Sequence, residues 1–238
     1  MSPNKTTAHV AGLLYLIVVV TGIVNLMYVP SQLQVPGDAA ATVSNILASK
    51  SLFGLGIAAG VVCYTAFMLL PLVLYRLLGG IDRNVAVLMV ALAVVSVPIS
   101  LLNLSHKLDV LTLLGDADYL QAFTAAQLQT QVMLALDAYR NGALISEVFW
   151  GLWLLPFGYL VFKSGFIPRV LGILLMLGCF GYLINISARM LFPGYAETAI
   201  ASIVSLPSAL GEIGTCLWLL IAGIRKRKGA VVSAHGEV

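Results

Sequence analysis

Val85-Ala-Val-Leu-Met-Val-Ala-Leu-Ala-Val-Val-Ser-Val-Pro-Ile-Ser-Leu-Leu-Asn-Leu104 contains no charge, and its only hydrophilic side chains are Ser96, Ser100 and Asn103. As an α-helix, about 20 such residues cross the ~30 Å hydrocarbon layer of a bilayer. A helix is also the one unpaired conformation that satisfies its own backbone hydrogen bonds there. Five further runs share this character: Ala8 to Val29, Leu52 to Leu78, Gly142 to Phe162, Val170 to Phe192 and Ala199 to Ile224. The chain is 60% hydrophobic and 10% charged, whereas about 25% of residues in soluble domains are charged. A water-soluble fold is excluded. The expected architecture is all-α: an integral membrane bundle of six transmembrane helices with two short outer interfacial helices. One domain covers residues 1–224, and a basic tail at 225–238 is expected to be disordered.

Lys5 and His9 precede the first apolar run, as in a secretory leader. That run is too long for one, and no small-residue cleavage pattern precedes Pro30, so a retained first helix is expected. Placing both termini in the cytoplasm puts Lys5, Arg76, Arg83, Lys163, Arg169 and Arg225 to Lys228 inside. Lys50, Lys107, Arg140 and Arg189 then lie outside, with Asp38, Asp109, Asp116, Asp118, Asp137 and Glu197. This is the positive-inside pattern. The basic tail reads first as an orientation anchor that also attracts anionic lipid, and no nucleic-acid partner is expected.

The inner connections, 79–84 and 163–169, are short enough to force antiparallel hairpins. Leu70-Pro71 and Leu155-Pro156 sit alike within the two, a faint sign of a parallel repeat. The outer connections carry structure of their own. Pro36, Gly37 and Asp38 form a turn and cap before Val43, Ile46 and Leu47, whose i, i+3, i+4 spacing describes a short helix at the interface. Thr124 and Gln127 form a capping-box pattern ahead of Leu128, Val132, Ala135 and Leu136, which predicts a second outer helix leading into the fourth span.

Function rests on the polar residues that interrupt the apolar runs. On helix five, Gly178, Tyr182, Asn185 and Arg189 share one face. Helix six carries Ser205, Ser208, Glu212 and Thr215; helix three carries Ser96, Ser100, Asn103 and either His106 or Lys107. Helix one adds Thr21 and Asn25, and helix four Arg140, Glu147 and Gly151. With alternating helix direction, Asn25, Asn103, Glu147, Asn185, Arg189 and Ser205 all fall in the outer half, and Glu212 lies deepest. Five polar stripes at one depth are expected to converge on an outward-facing pocket whose candidate ligand residues are Asn25, Asn103, His106, Glu147, Asn185, Arg189 and Glu212.

A lone charge at the centre of a spanning helix costs ~2.5 to 3.5 kcal/mol for insertion, so such groups pair or face water. Arg189 is the natural partner of Glu147 or Glu212. The acid left over, Glu212 by depth, is the candidate proton carrier. The bland alternatives are that Arg189 snorkels to the interface, that both acids are polar glue between helices, and that His106 is an interfacial residue.

Signatures of catalysis are absent: there is no G-x-S-x-G, H-E-x-x-H, Walker loop or G-x-G-x-x-G. A Glu147 and His106 acid–base pair is a weak exception. Cys63, Cys179 and Cys216 lack disulfide or zinc spacing. No catalytic residue, metal or cofactor is assigned.

The run Gly151-Leu-Trp-Leu-Leu-Pro-Phe-Gly-Tyr-Leu-Val-Phe-Lys-Ser-Gly-Phe-Ile-Pro-Arg-Val-Leu-Gly172 resembles the bacterial domain-of-unknown-function family 4386 (DUF4386). So do Val35-Pro-Gly-Asp-Ala-Ala-Ala-Thr42, Ala11-Gly-Leu-Leu-Tyr15 and Gly181-Tyr-Leu-Ile184. The resemblance covers nearly the whole chain. It implies a multi-pass protein of the bacterial inner membrane, supplies no activity and carries over no functional residue. The expected function is to bind or transport a small polar or amphiphilic molecule, with membrane lipid as the standing partner and oligomeric state left open. The alternatives are an intramembrane enzyme acting on lipid and a non-catalytic assembly partner.

Overall fold

Asn4, Asp38, Asp82, Thr124 and Thr198 each begin a helix, because a short polar side chain on extended backbone accepts from an amide that the first turn leaves unpaired. The computed structural model describes residues 4–223, and the basic tail expected at 225–238 lies outside the described residues. Among them are seven helices and no strand: α1 (Lys5–Leu33), α2 (Ala39–Ala48), α3 (Lys50–Leu78), α4 (Arg83–Leu113), α5 (Ala125–Ser164), α6 (Arg169–Leu191) and α7 (Ala199–Ile221). All but α2 are long and apolar enough to cross a membrane. The protein is a multi-span membrane protein.

The capping box is formed: Thr124 N donates to Gln127 Oε1 at 2.8 Å, and Gln127 N donates to Thr124 Oγ1 at 3.3 Å. The helix it opens runs on into the fourth span, so that α5 has 40 residues and a length of ~60 Å. Continuity follows from one unbroken apolar face. Val132 and Leu136 pack with Val43 and Ile46 of α2 and Val110 of α4 in a small core beneath α2.

Each spanning helix packs on the next in sequence, and α7 returns to α1, so the six close into a ring in chain order. The end of the ring that holds α2 and the 3-10 turns Asp118–Ala122 and Tyr195–Glu197 is here the loop end; Lys5 and Ile221 mark the terminal end. Aromatic side chains fill the middle. Trp153 lies flat on Phe157, with centroids 5.0 Å apart and planes 8° from parallel, and meets the edge of Phe67 at 5.1 Å and the ring of Tyr15 at 6.3 Å. Tilted and offset rings of this kind suit the aromatic quadrupole.

Two seams are held by backbone touching backbone. Between α5 and α6, a Cβ on Gly158 or on Gly172 would stand 2.6 Å from the other's carbonyl oxygen. Between α6 and α7, a Cβ on Gly178 would meet Ser208 Cα at 2.8 Å, and one on Gly211 would meet Leu175 N at 2.9 Å. Lipid tails are as apolar as leucine, so close approach and dispersion, not water exclusion, hold such helices together.

Gly172→Leu is therefore expected to separate α5 from α6 at a cost of about 1–3 kcal/mol or more. Gly54, beside which a Cβ meets nothing within 4 Å, gives the control: Gly54→Ala should be neutral or gain up to about 1 kcal/mol through helix propensity. Thermal melts in one detergent, with the two variants side by side, measure both.

Candidate functional site

The polar residues singled out in the sequence gather in three places. The first is a chamber of about 110 Å³ at the seam of α5, α6 and α7, lined by Glu147, Tyr182, Asn185, Arg189, Ser205 and Ser208. Helical spacing on α6 turns Tyr182, Asn185 and Arg189 to one side, and Gly178 brings α7 close enough for its serines to face them. Arg189 Nη1 donates to both oxygens of Glu147, at 3.4 Å each. Asn185 Nδ2 donates to Ser205 Oγ at 2.8 Å and to Ala201 O at 3.3 Å, while its Oδ1 accepts from Tyr195 OH at 2.7 Å. Arg189 is thus the partner of Glu147, and Arg140 stays outside, bound to Asp137 at 2.8 Å.

The second place lies between α1, α4 and α5, toward the loop end. Lys107 is 2% exposed. Its Nζ donates to Asn25 Oδ1 at 2.7 Å and to the Asn25 carbonyl at 3.1 Å, and it stands 4.2 Å from the ring centroid of Tyr139. Asn25 Nδ2 donates to Tyr139 OH at 2.9 Å, and Asn103 Nδ2 donates to Tyr139 O at 2.8 Å. Asn25 belongs to a π-helical turn, Val24–Tyr28; such insertions recur where a backbone group is redirected to a task. Gly142 leaves the room that Asn103 occupies. Among the described residues no carboxylate lies within 4.0 Å of Lys107, so two oxygens of one asparagine and one aromatic face hold the cation. His106 points elsewhere, paired with Asp109 at 3.4 Å on an exposed face, and no acid–base pair with Glu147 is assembled.

Glu212 occupies the third place, at one end of a cavity of about 280 Å³ between α1, α3, α5 and α7. One of its oxygens, Oε2, accepts from Tyr15 OH at 3.3 Å, and the Tyr182 hydroxyl is a second hydrogen-bonding neighbour. Among the described residues no lysine, arginine or histidine nitrogen comes within 4.0 Å of it. The remaining wall is apolar and aromatic, from Val18, Val19 and Gly22 on α1 to Tyr64 and Phe67 on α3 and Trp150 and Trp153 on α5.

The mouth of this cavity is defined by how α1 and α7 part. At the terminal end they touch: a Cβ on Gly12 would stand 2.7 Å from Leu220 N, and His9 Nδ1 donates to Leu220 O at 2.9 Å. Nearer the loop end the gap between them is the cavity. Its rim is Ile23, Met27 and Ile213, all exposed, Met27 by 66%. In a bilayer these side chains face lipid, so the opening is lateral. Tyr182 is common to the walls of both cavities and separates Glu212 from the Glu147–Arg189 pair.

The candidate residues therefore do not share one space. Glu147, Asn185 and Arg189 stand together, Asn25 and Asn103 stand together, Glu212 stands across Tyr182, and His106 is outside. Sequence reasoning put either His106 or Lys107 on the polar face of helix three and chose His106 as the candidate, whereas Lys107, four residues after Asn103, is the one turned inward. It also gave no role to Tyr15, Tyr64, Tyr139, Trp150 and Trp153, which are indistinguishable in sequence from packing residues.

Residues 10–223 match the family described as Domain of unknown function (DUF4386), and the chain belongs to that family. It is similar to an uncharacterized protein of Archaeoglobus fulgidus, 29% identical over 119 residues, which are 50% of this chain and 67% of the relative. No solved structure matches it.

Lys107→Met keeps the volume of the buried stem and strands the two Asn25 oxygens. It is expected to lower stability by about 1–3 kcal/mol, the cost of buried acceptors without a donor. Asn25→Leu in the same background should recover part of that loss, as thermal melts of the single and double variants would show.

Proposed function

We propose that this DUF4386 protein binds a small amphiphilic molecule that enters sideways from the bilayer into the cavity between α1, α3, α5 and α7. One observation carries the reading: an apolar cavity with a lipid-facing rim ends on a carboxylate that has only hydroxyl partners. Small-molecule sites are concave and mostly apolar, with a few placed polar groups and volumes of ~300–1,000 Å³. At about 280 Å³ this cavity suits a compact molecule or one short chain, not a whole diacyl lipid.

We place the loop end outside, so that the cavity serves the outer half of a bacterial cell membrane, as the binding stage of a transporter would require. The basic residues support this orientation. Lys107 is buried, Arg189 is held by Glu147 and Arg140 by Asp137, which leaves Lys50, bonded to the Leu114 carbonyl, as the one lysine or arginine of the loop end that is exposed and has no carboxylate within 4.0 Å among the described residues. Lys5, Arg76, Arg83, Lys163 and Arg169 lie toward the terminal end, and positive charge favours the cytoplasmic side.

Gentle purification followed by mass spectrometry of bound small molecules tests the binding. Gly22 lines the cavity, and a Cβ there meets only Cys63 Sγ, at 3.5 Å. Gly22→Leu should therefore fill the space, release the co-purifying molecule and leave the melting temperature nearly unchanged. Equal retention by the wild type and Gly22→Leu would sink the proposal. For orientation, Ser49→Cys should react with an impermeant maleimide on intact cells, and Asn84→Cys only after permeabilisation. The reverse pattern would invert the topology.

A further inference from the structure

The two basic groups nearest in the bundle, Arg189 and Lys107, are already engaged. Arg189 is bound to Glu147 beyond Tyr182, and Lys107 is bound to Asn25 and capped by Tyr139. Of the acidic residues within the described spanning helices, Asp109, Asp137 and Glu147 have a basic partner within 4.0 Å and Glu212 has none. Two tyrosine hydroxyls supply at most two hydrogen bonds, whereas a carboxylate offers about four acceptor positions. A desolvated charge in such a position is stabilised only by a counter-charge or by further donors. The walls around it add the second half of the argument. Tyr15 and Tyr182 stand at the carboxylate, the ring of Trp153 lies 6.3 Å from that of Tyr15, and Tyr64 lies stacked on Trp150 at 6.1 Å in the same cavity wall. Aromatic faces attract cations, more so when both are out of water, and quaternary ammonium groups are recognised by just such clusters.

We infer that the molecule bound in this cavity is an organic cation, an amphiphile whose ammonium group sits at Glu212 and whose apolar body lies among the aromatic rings. The inference rests on the binding proposed above and specifies its ligand class. An anionic amphiphile would bring like charge to Glu212 with no basic side chain to offset it. A neutral one would leave the carboxylate as it is. A cation supplies the missing counter-charge, a protonated amine adds hydrogen bonds as well, and Ile23, Met27 and Ile213 give it a way in from the lipid, where amphiphilic amines accumulate.

The test uses the full-length protein in lipid nanodiscs and three probes of similar size: benzyltrimethylammonium, its carbon isostere neopentylbenzene, and 3-phenylpropanoate. Binding is read from the fluorescence of Trp150 and Trp153 and corrected for partition into protein-free nanodiscs. Benzyltrimethylammonium should bind at least about tenfold more tightly than the other two, a preference within the range of a desolvated cation–aromatic site. Glu212→Gln should abolish that preference. Should Glu212→Gln fail to fold, Glu212→Asp serves: it keeps the charge and should keep the preference at reduced affinity. Gly22→Leu should lose all binding. If the neutral isostere binds as tightly as the cation, or the glutamine variant discriminates as the wild type does, the cation assignment is overturned while the amphiphile site stands. If none of the three probes binds, and no small molecule co-purifies, both readings fall.

Discussion

Hydrocarbon offers a polar group no hydrogen bond, so the charged and amide side chains inside this bundle depend on partners from neighbouring helices. The arrangement of charges follows from that demand. A ring in chain order gives every helix two flanking neighbours, and Trp153, Phe157 and Phe67 fill what would be a common centre. Polar stripes then meet in separate places, at seams or across the loop end of the ring. Arg189 finds Glu147 at the α5–α6 seam, Lys107 finds Asn25 between α4 and α1, and Glu212 faces the widened gap between α7 and α1 with tyrosines only. The charges are sorted by which neighbours they reach, and among those inside the bundle one acid, Glu212, is left without a base within 4.0 Å.

Much of the fold was legible because the bilayer imposes lengths and hydropathy on a sequence more strictly than water does. Six apolar runs became six spans, Asp38 and Thr124 capped the helices their spacing announced, and the two short connections made hairpins. The site was less legible. Stripes on five helices give depth and face, but not which seam each face enters, since rotation of a helix about its axis is decided by packing. Gly158, Gly172, Gly178 and Gly211 set those rotations here through contacts that no single helix contains. Lys107 shows the same limit: counted by charge it belongs to an outer loop, yet α4 continues through it and carries it inward. The outer helix expected after Thr124 has the complementary history, being continuous with a span because its apolar face never breaks.

The π-helical turn at Val24–Tyr28 links the two regions. By inserting a residue it lets α1 send Asn25 toward Lys107 while Gly22, Ile23 and Met27 of the same two turns border the cavity. Gly60 makes this possible from the other side, since a Cβ there would stand 3.1 Å from Asn25 Nδ2. The lysine site is thus a structural fixture that holds one wall of the cavity, while Glu212, on the opposite wall, keeps unused hydrogen-bonding capacity.

On the proposed lateral entry past Ile23, Met27 and Ile213, the membrane itself is the reservoir from which the cavity would fill. The concentration that governs occupancy is then a mole fraction in two dimensions. Each added methylene raises partition by ~0.8 kcal/mol of transfer energy, so lengthening a solute's tail will sharpen its apparent aqueous affinity even where it touches the protein no differently. A site only weakly selective by contact can in this way be well occupied from dilute solution.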